Sequence, residues 1–415
     1  MSSTDKPRDD SAFIRALIAQ MVEAGAADLL LTPGARPTFR VDQELRPLPD
    51  AVAFSSDDFA HALRSLAPAE RWTELRRGGR TEFTVSVSDE HRLRVTAAVA
   101  LDGLTVAMRL IRAEPLPLEE AGLPEPLLDA LLQPHGLMIV TGPAGSGRTT
   151  LLASFVDAFN RLRNLRILCL EDSVEVVHAN KNSIVSQRRL VGTSAERREL
   201  LEQAIAEGPD LLVVNDLDRP ELVEPLLELA ASGTLVLAGM PYRCSSHALA
   251  ALVEGLSDDR RRRALTILSE HLHWSLAQAL LRPSRGRGLI PAREILLRDE
   301  VTRAILAKGD FGQLAAVMHA SGRPGVVELN QALIRLVQSN DVKSLEAYRA
   351  TADRNRLARE FRRSGIELTG LSHLEKSILE HASAPKPTRE SVQTAAGRAA
   401  SGTQTRSGSL RRGWF

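Results

Sequence analysis

The run from Leu137 to Val140 is short, apolar and free of charge. It passes directly into Gly142-Pro143-Ala144-Gly145-Ser146-Gly147-Arg148-Thr149-Thr150, and a helix-like stretch from Leu151 to Leu162 follows. Strand, glycine-rich loop and helix in that order are the required setting of a Walker A phosphate loop. The glycines let backbone N–H groups converge on phosphate oxygens, and the helix contributes the positive end of its dipole. Thr149 stands at the hydroxyl position that binds Mg²⁺, but Arg148 occupies the position of the lysine. A flat guanidinium on a longer stem cannot enter the compact ammonium site between β- and γ-phosphates without displacing something. Read alone, the segment is either a nucleotide loop that lacks its lysine or an ordinary glycine turn.

The surroundings supply the layer such a loop needs. Ile167 to Leu170, Leu211 to Val214 and Leu235 to Leu237 are further strand-length apolar runs, alternating with longer helical patterns. This is the signature of a parallel sheet buried on both faces. Ahead of it the pattern differs. Phe13, Ile14, Leu17, Ile18 and Met21 make a helical stripe closed by Gly25, and a second helix opens at Ser55 and Ser56. Strand patterns lie at Asp28 to Thr32, Thr38 to Val41, Glu82 to Val87, Arg92 to Val99 and Leu104 to Ile111. These read as a small α+β domain over residues 11–112. Pro115 and Pro117 fall in a semi-rigid linker at 113–122. The α/β domain then runs over 123–383, turning helical after Leu297. Residues 384–415 are rich in Ala, Ser, Gly and Arg, carry a net +5 from Lys386 onward, and read as a disordered basic tail.

Composition excludes several classes. With 43% hydrophobic and 25% charged residues the chain is neither collagenous nor globally disordered. A formal charge of +1 gives no global reason to expect nucleic acid as partner. Cys169 and Cys244 stand apart, so no disulfide framework and no clustered zinc site is available, and a reduced, cytoplasmic compartment fits. No apolar run reaches the length of a membrane span. Arg260 to Arg263 read as a solvated helix face. His271 and His273 flank Trp274 on what reads as a helix, where a spacing of two puts them on different faces.

Beyond the loop the chain resembles a family. Gly136 to Thr150, Leu168 to His178 and Asp210 to Arg219 look like the successive motifs of PilT-like motor ATPases, the retraction ATPases of type IV pili within the wider pilus and type II secretion group. Gly25 to Leu29, Phe39 to Asp42, Arg94-Val95 and Met108-Arg109 match its N-terminal strands, and Glu294 to Leu296 and Arg303 to Leu306 its C-terminal region. The match is colinear over about Phe13 to Arg354. It implies a RecA-like P-loop domain behind a PAS-like α+β domain, a hexameric ring, and ATP with Mg²⁺ as cofactors. Gly142, Gly145, Ser146, Gly147, Arg148, Thr149, Thr150 and Arg109 are then the nucleotide-binding positions. Glu175 is the general base, Asp216 stands for the Walker B glutamate, and Thr149 and Asp216 serve the metal. Glu171 and Asp172 keep an acidic pair just upstream, and Asp210 opens the Walker B strand.

The departures cluster in the same place. Pro241 stands where the family has its His-box histidine, Glu202 and Ala206 replace arginines, and Asp218 displaces another, with Arg219 one step on. The turn at Asp102-Gly103 lacks a second N-terminal arginine. The implied function is a motor-type ATPase paralogue with weak or lost hydrolysis that modulates or joins a pilus motor ring. Its implied partners are a pilus motor ATPase and an inner-membrane platform protein, without nucleic acid and with peripheral membrane contact only. The alternative is an active retraction or secretion motor that tolerates these variants.

Overall fold

A computed structural model describes residues 10–49, 51–215, 217 and 219–370. The described chain divides into two compact units, one ending at Ala352 and the other beginning at Asp353. The first unit opens with α1 (Asp10–Glu23), β1 (Asp28–Leu31), β2 (Thr38–Val41) and β3 (Glu44–Pro47). It continues through α2 (Ser56–Leu66), α3 (Ala69–Gly78), β4 (Arg80–Ser86), β5 (His91–Ala100) and β6 (Gly103–Arg112). The six strands form an antiparallel sheet in the order β3-β2-β1-β6-β5-β4. One face alternates into a core with the helices. Ile14 and Met21 of α1, Phe59 and Leu63 of α2, and Leu29, Leu93, Val95 and Met108 of the strands close it. α2 begins where Ser55 and Asp58 form a reciprocal capping box. The α+β reading of this segment therefore matches its architecture; β3, wholly exposed, and α3 carry too little apolar pattern to be seen in the sequence.

The proline-rich stretch is packed rather than a free spacer. Leu118–Ala121 forms a 3₁₀ turn closed by Gly122 in the left-handed region, and Leu118 and Ala121 are buried. Pro124 and Pro126 then start α4 (Glu125–Leu128), where a missing N–H costs nothing, and Leu127 is fully buried.

The larger layer comprises β7 (Gly136–Thr141), α5 (Arg148–Leu162), β8 (Arg166–Glu171), β9 (Ile184–Arg189), α6 (Ser194–Ala206), β10 (Leu211–Val214), α7 (Pro220–Ala231) and β11 (Leu235–Met240). α8 (Ser245–Val253), α9 (Asp258–His271), β12 (Leu272–Leu281), β13 (Ile290–Leu297) and α10 (Glu300–Lys308) follow. α11 (Leu314–Ser321), α12 (Leu329–Gln338) and α13 (Ser344–Ala350) complete the unit. The seven-stranded sheet runs β13-β12-β7-β11-β10-β8-β9, parallel except for the β12–β13 pair. α5 lies between apolar layers, with every position from Leu151 to Asn160 buried. The expected α/β form with a mostly parallel sheet is thus present.

One expectation changes. His271 ends α9, while His273 and Trp274 belong to β12, so the helix expected there is a strand; Trp274 is buried and packs on Phe155 at 5.2 Å. Cys169 is buried in β8, as a small core residue would be. The second unit contains α14 (Arg354–Arg363), capped by Asp353. The expected basic tail and the end of the α/β segment, residues 371–415, lie outside the described residues.

Candidate functional site

The glycine loop leaves β7 and enters α5 through Gly147, whose φ of 80° only glycine adopts freely. Gly145 is likewise left-handed at 77°, and nothing lies within 4 Å of where its Cβ would stand. A cradle open at Gly145 and backed by the N-terminus of a 15-residue helix fits a phosphate group. Gly142 is needed for the opposite reason: a Cβ there would meet Ser146 Oγ at 2.3 Å and the Gln278 carbonyl at 2.6 Å. Arg148 fills the position of the motif's lysine. Its Nη1 donates to Gly142 O at 3.3 Å, so the guanidinium turns back on the loop's own first carbonyl. Thr150 is exposed, and its carbonyl accepts the Ser154 hydroxyl at 2.9 Å.

Thr149 lines a small crevice with Glu171, Val176, His178 and Asn215. Glu171 ends β8 and is buried. Burial pushes its carboxyl up to about 7, with the neighbouring charge of Glu175 adding to the effect. Gln187 Nε2 donates to its Oε1 at 2.9 Å and Asn215 Nδ2 reaches Oε2 at 3.5 Å. Among the described residues, the carboxylate that lines this crevice with the metal-type hydroxyl is Glu171, which the sequence marks only as half of an upstream pair. Asp172 instead pairs with Arg219. Asp216 lies outside the described residues, as does Asp218.

Glu175 is held by the N-terminal sheet. Arg94 Nη1 donates to its Oε1 at 3.0 Å, and Arg92 Nη1 to its carbonyl at 2.8 Å. Arg94 also bonds Glu82 at 3.0 Å, and the two carboxylates raise the guanidinium pKa further despite its burial. Register explains how one sheet does this. Arg40, Asp28, Arg109 and Arg94 are direct cross-strand neighbours on β2, β1, β6 and β5, so they form one row on one face. Asp28 sits between two of them, accepting Arg40 Nε at 2.9 Å and Arg109 Nε at 2.8 Å. Asp28, Arg40 and Arg109 line a cleft of about 560 Å³ whose other wall is Pro143 to Ser146, with Arg243, Arg282 and Arg349 at its rim.

Where the histidine was expected, Pro241 is exposed at the end of β11. The turn is tied to the strand that carries the loop: the Thr141 hydroxyl accepts Tyr242 N–H at 3.1 Å and donates to Tyr242 O at 2.7 Å. Glu202 is exposed and pairs along α6 with Arg198, and Ala206 is exposed. Asp210 precedes β10 and accepts Arg166 N–H at 2.7 Å. The structure thus gathers Gly142, Gly145, Ser146, Gly147, Arg148 and Thr149 at the loop and sets Arg109 across the cleft.

The type II/IV secretion system protein family profile matches residues 8–376. The chain belongs to that family. It is 27% identical over 324 residues to the type IV pilus retractation ATPase PilT of Pseudomonas aeruginosa, a match covering 78% of this chain and 94% of that one. Identity to the type IV pilus ATPase PilU of the same organism is 26%, covering 79% and 85%. The crystal structure of the pilus retraction motor PilT with bound ADP superposes with a TM-score of 0.70 at 27% identity, covering 83% of this chain and 99% of that one. The Legionella pneumophila ATPase DotB, 20% identical with a TM-score of 0.71, shares the fold. As a family member, the chain has the expected RecA-like α/β architecture behind its α+β segment. Among the described residues no helix is long and apolar enough to cross a membrane, and no group of three or more His, Cys, Asp or Glu side chains is placed to hold a metal ion.

Proposed function

We propose that this family member is a nucleotide-binding subunit of a type IV pilus motor ring, with weak or lost ATP hydrolysis of its own. In this reading ATP sits in the cleft with its phosphates on Gly145, Ser146, Gly147, Thr149 and Thr150, and Mg²⁺ is held near Thr149 and Asp216. The cofactor supplies the transferable phosphoryl group. The chain supplies backbone donors, the loop shape and the Glu175 carboxylate, which would orient and deprotonate the attacking water. The subunit joins a cytoplasmic hexamer with a pilus motor ATPase beneath a membrane platform protein and handles no nucleic acid. Residues 11–112 and 123–383 are its two working domains.

The observation that carries the reading is Arg148 in the place of the loop's lysine, a guanidinium whose Nη1 donates to Gly142 O. Pro241 adds to it, since a pyrrolidine cannot stand in for an imidazole donor near a γ-phosphate. Two such contacts at roughly 3 kcal/mol each lower turnover on the order of 10⁴-fold against an intact site, if independent. The second reading, an active motor, draws on Glu175, present at the family's spacing with its carboxylate held by Arg94 at 3.0 Å. Mixing the purified protein with an intact pilus motor ATPase and following size and turnover tests the proposal. A mixed assembly whose rate depends on the ratio of the two chains is expected; a monomer that binds no motor at any nucleotide concentration would contradict it.

A further inference from the structure

Gln278 lies on β12, immediately behind the glycine loop, and is 5% exposed. Its amide has a forced orientation. On β13 the residue directly opposite is Arg293, whose Nε–H donates to Gln278 Oε1 at 2.7 Å. Arginine has donors only, so the amide oxygen must face it and the NH₂ must face away. That NH₂ donates to Ser146 O at 2.8 Å, inside the loop. The carbonyl of Ser146 and the N–H of Gly147 share one planar trans peptide and point in opposite directions. Holding the carbonyl toward β12 therefore turns the Gly147 N–H away from β12, at the N-terminus of α5, whose first-turn N–H groups have no acceptor within the helix.

The contact is close on both sides. A Cβ on Gly147 would meet Gln278 Nε2 at 2.9 Å, and one on Gly142 would meet the Gln278 carbonyl at 2.6 Å. Arg293 is fixed in turn by Nη1, which donates to Gly122 O at 3.2 Å in the packed proline-rich stretch. Among the described residues no carboxylate pairs with Arg293, so its partners here are neutral acceptors.

We propose that Gln278 is a positioning residue of the phosphate loop, oriented by Arg293, which aims the Gly147 N–H at the anion and keeps the loop in its binding shape before ligand arrives. It acts through the backbone and touches no phosphate. The proposal rests on the nucleotide reading of the loop, and the test separates the two. Gln278→Met keeps the length of the side chain and removes both hydrogen bonds. The double variant Gln278→Met, Arg293→Met also avoids stranding a half-buried guanidinium.

Amide hydrogen exchange in nucleotide-free protein and calorimetric titration with ATP and Mg²⁺ are measured on wild type and both variants, with thermal midpoints alongside. The expected result is exchange at Gly145 to Arg148 about tenfold faster, protection in β7 and β12 retained, and ATP affinity about tenfold weaker, as one lost hydrogen bond implies. Loop exchange at the wild-type rate overturns the proposal. So does a loosened loop that binds ATP as tightly as wild type, or a uniform loss of protection across the sheet, which would make Gln278 merely structural. If wild type binds no ATP, the nucleotide reading falls, while exchange at the loop still decides whether Gln278 holds its shape.

Discussion

Replacing Arg148 by lysine restores an ammonium to the loop but leaves its surroundings as they are. Arg148 donates to Gly142 O, a contact within the loop that lysine need not reproduce, whereas Pro241 still offers no donor on the far side. Arg148→Lys is therefore expected to raise ATP turnover by less than about tenfold, well short of the roughly 10²-fold that one full contact of about 3 kcal/mol would return, because the site is only half restored. A colorimetric phosphate assay on matched preparations checks this, and a thousandfold gain would mean that Pro241 is harmless. Any residual hydrolysis should depend on Glu175, whose carboxylate is fixed by Arg94 at 3.0 Å. Glu175→Gln keeps the shape and removes the base, so turnover equal to wild type would point to a different base or to a contaminant. The Glu175 position was legible in the sequence from its motif, but its partner was not. Arg94 lies 81 residues earlier and meets Glu175 only because cross-strand register aligns it with Arg109 and Asp28. Glu171 was underrated for a related reason: its elevated pKa comes from burial, which no local pattern discloses.

Strands β12 and β13 flank the loop-bearing strand β7 at one edge of the sheet, and two buried side chains on them make measurable predictions. Glu294 of β13 is fully buried and accepts the Ser245 N–H at 2.7 Å, holding the start of α8; burial, with Glu328 nearby, pushes its carboxyl up to about 7. A raised acid pKa contributes stability below the unfolded value near 4.5, and that contribution is lost as pH rises to about 7. Glu294→Gln keeps the acceptor and removes the ionisation. Its stability should fall less than that of wild type between pH 4.5 and 7, by up to roughly 3 kcal/mol, leaving the parallel dependence of Glu171 in place. Denaturant titrations at pH 5 and pH 8 measure the difference, and identical slopes would mean that Glu294 titrates normally. Trp274 of β12 is fully buried with its indole N–H lacking a partner among the described residues. Trp274→Ala should cost about 4 kcal/mol, whereas Trp274→Phe should stay within about 1.5 kcal/mol because it also removes the stranded donor. Both strands escaped the sequence reading. β12 is buried on both faces and shows no alternation, so Leu272, Trp274 and Leu276 read equally as a helix, whereas Leu211–Val214 was legible from its length and lack of charge. β9 is an edge strand in which Ile184 and Val185 give way to Ser186, Gln187, Arg188 and Arg189, too short an apolar signal to mark a strand.

For the molecule as a whole, the N-terminal sheet and the loop face each other across one cleft, lined on the sheet side by Arg40, Asp28 and Arg109, while Arg94, next in the same row, holds Glu175. Arg109 is half-exposed, and its Nε is on Asp28, so removing it disturbs one partly solvated ion pair of about 1 kcal/mol or less. Arg109→Ala should therefore fold normally by circular dichroism yet lower the ATPase rate of a mixed assembly with an intact motor. An unchanged rate would take Arg109 out of the nucleotide's surroundings. This domain pairing was foreseeable only through family resemblance, because no stretch of sequence states which sheet face meets which loop. The proposed role requires a loop that binds nucleotide and scarcely hydrolyses it. Calorimetric titration of the purified protein with ATP and Mg²⁺, with turnover measured on the same sample, tests that directly. Saturable binding with turnover several orders of magnitude below one per second, the low end of ordinary enzyme rates, is predicted; turnover near one per second, or no binding at millimolar ATP, would contradict it.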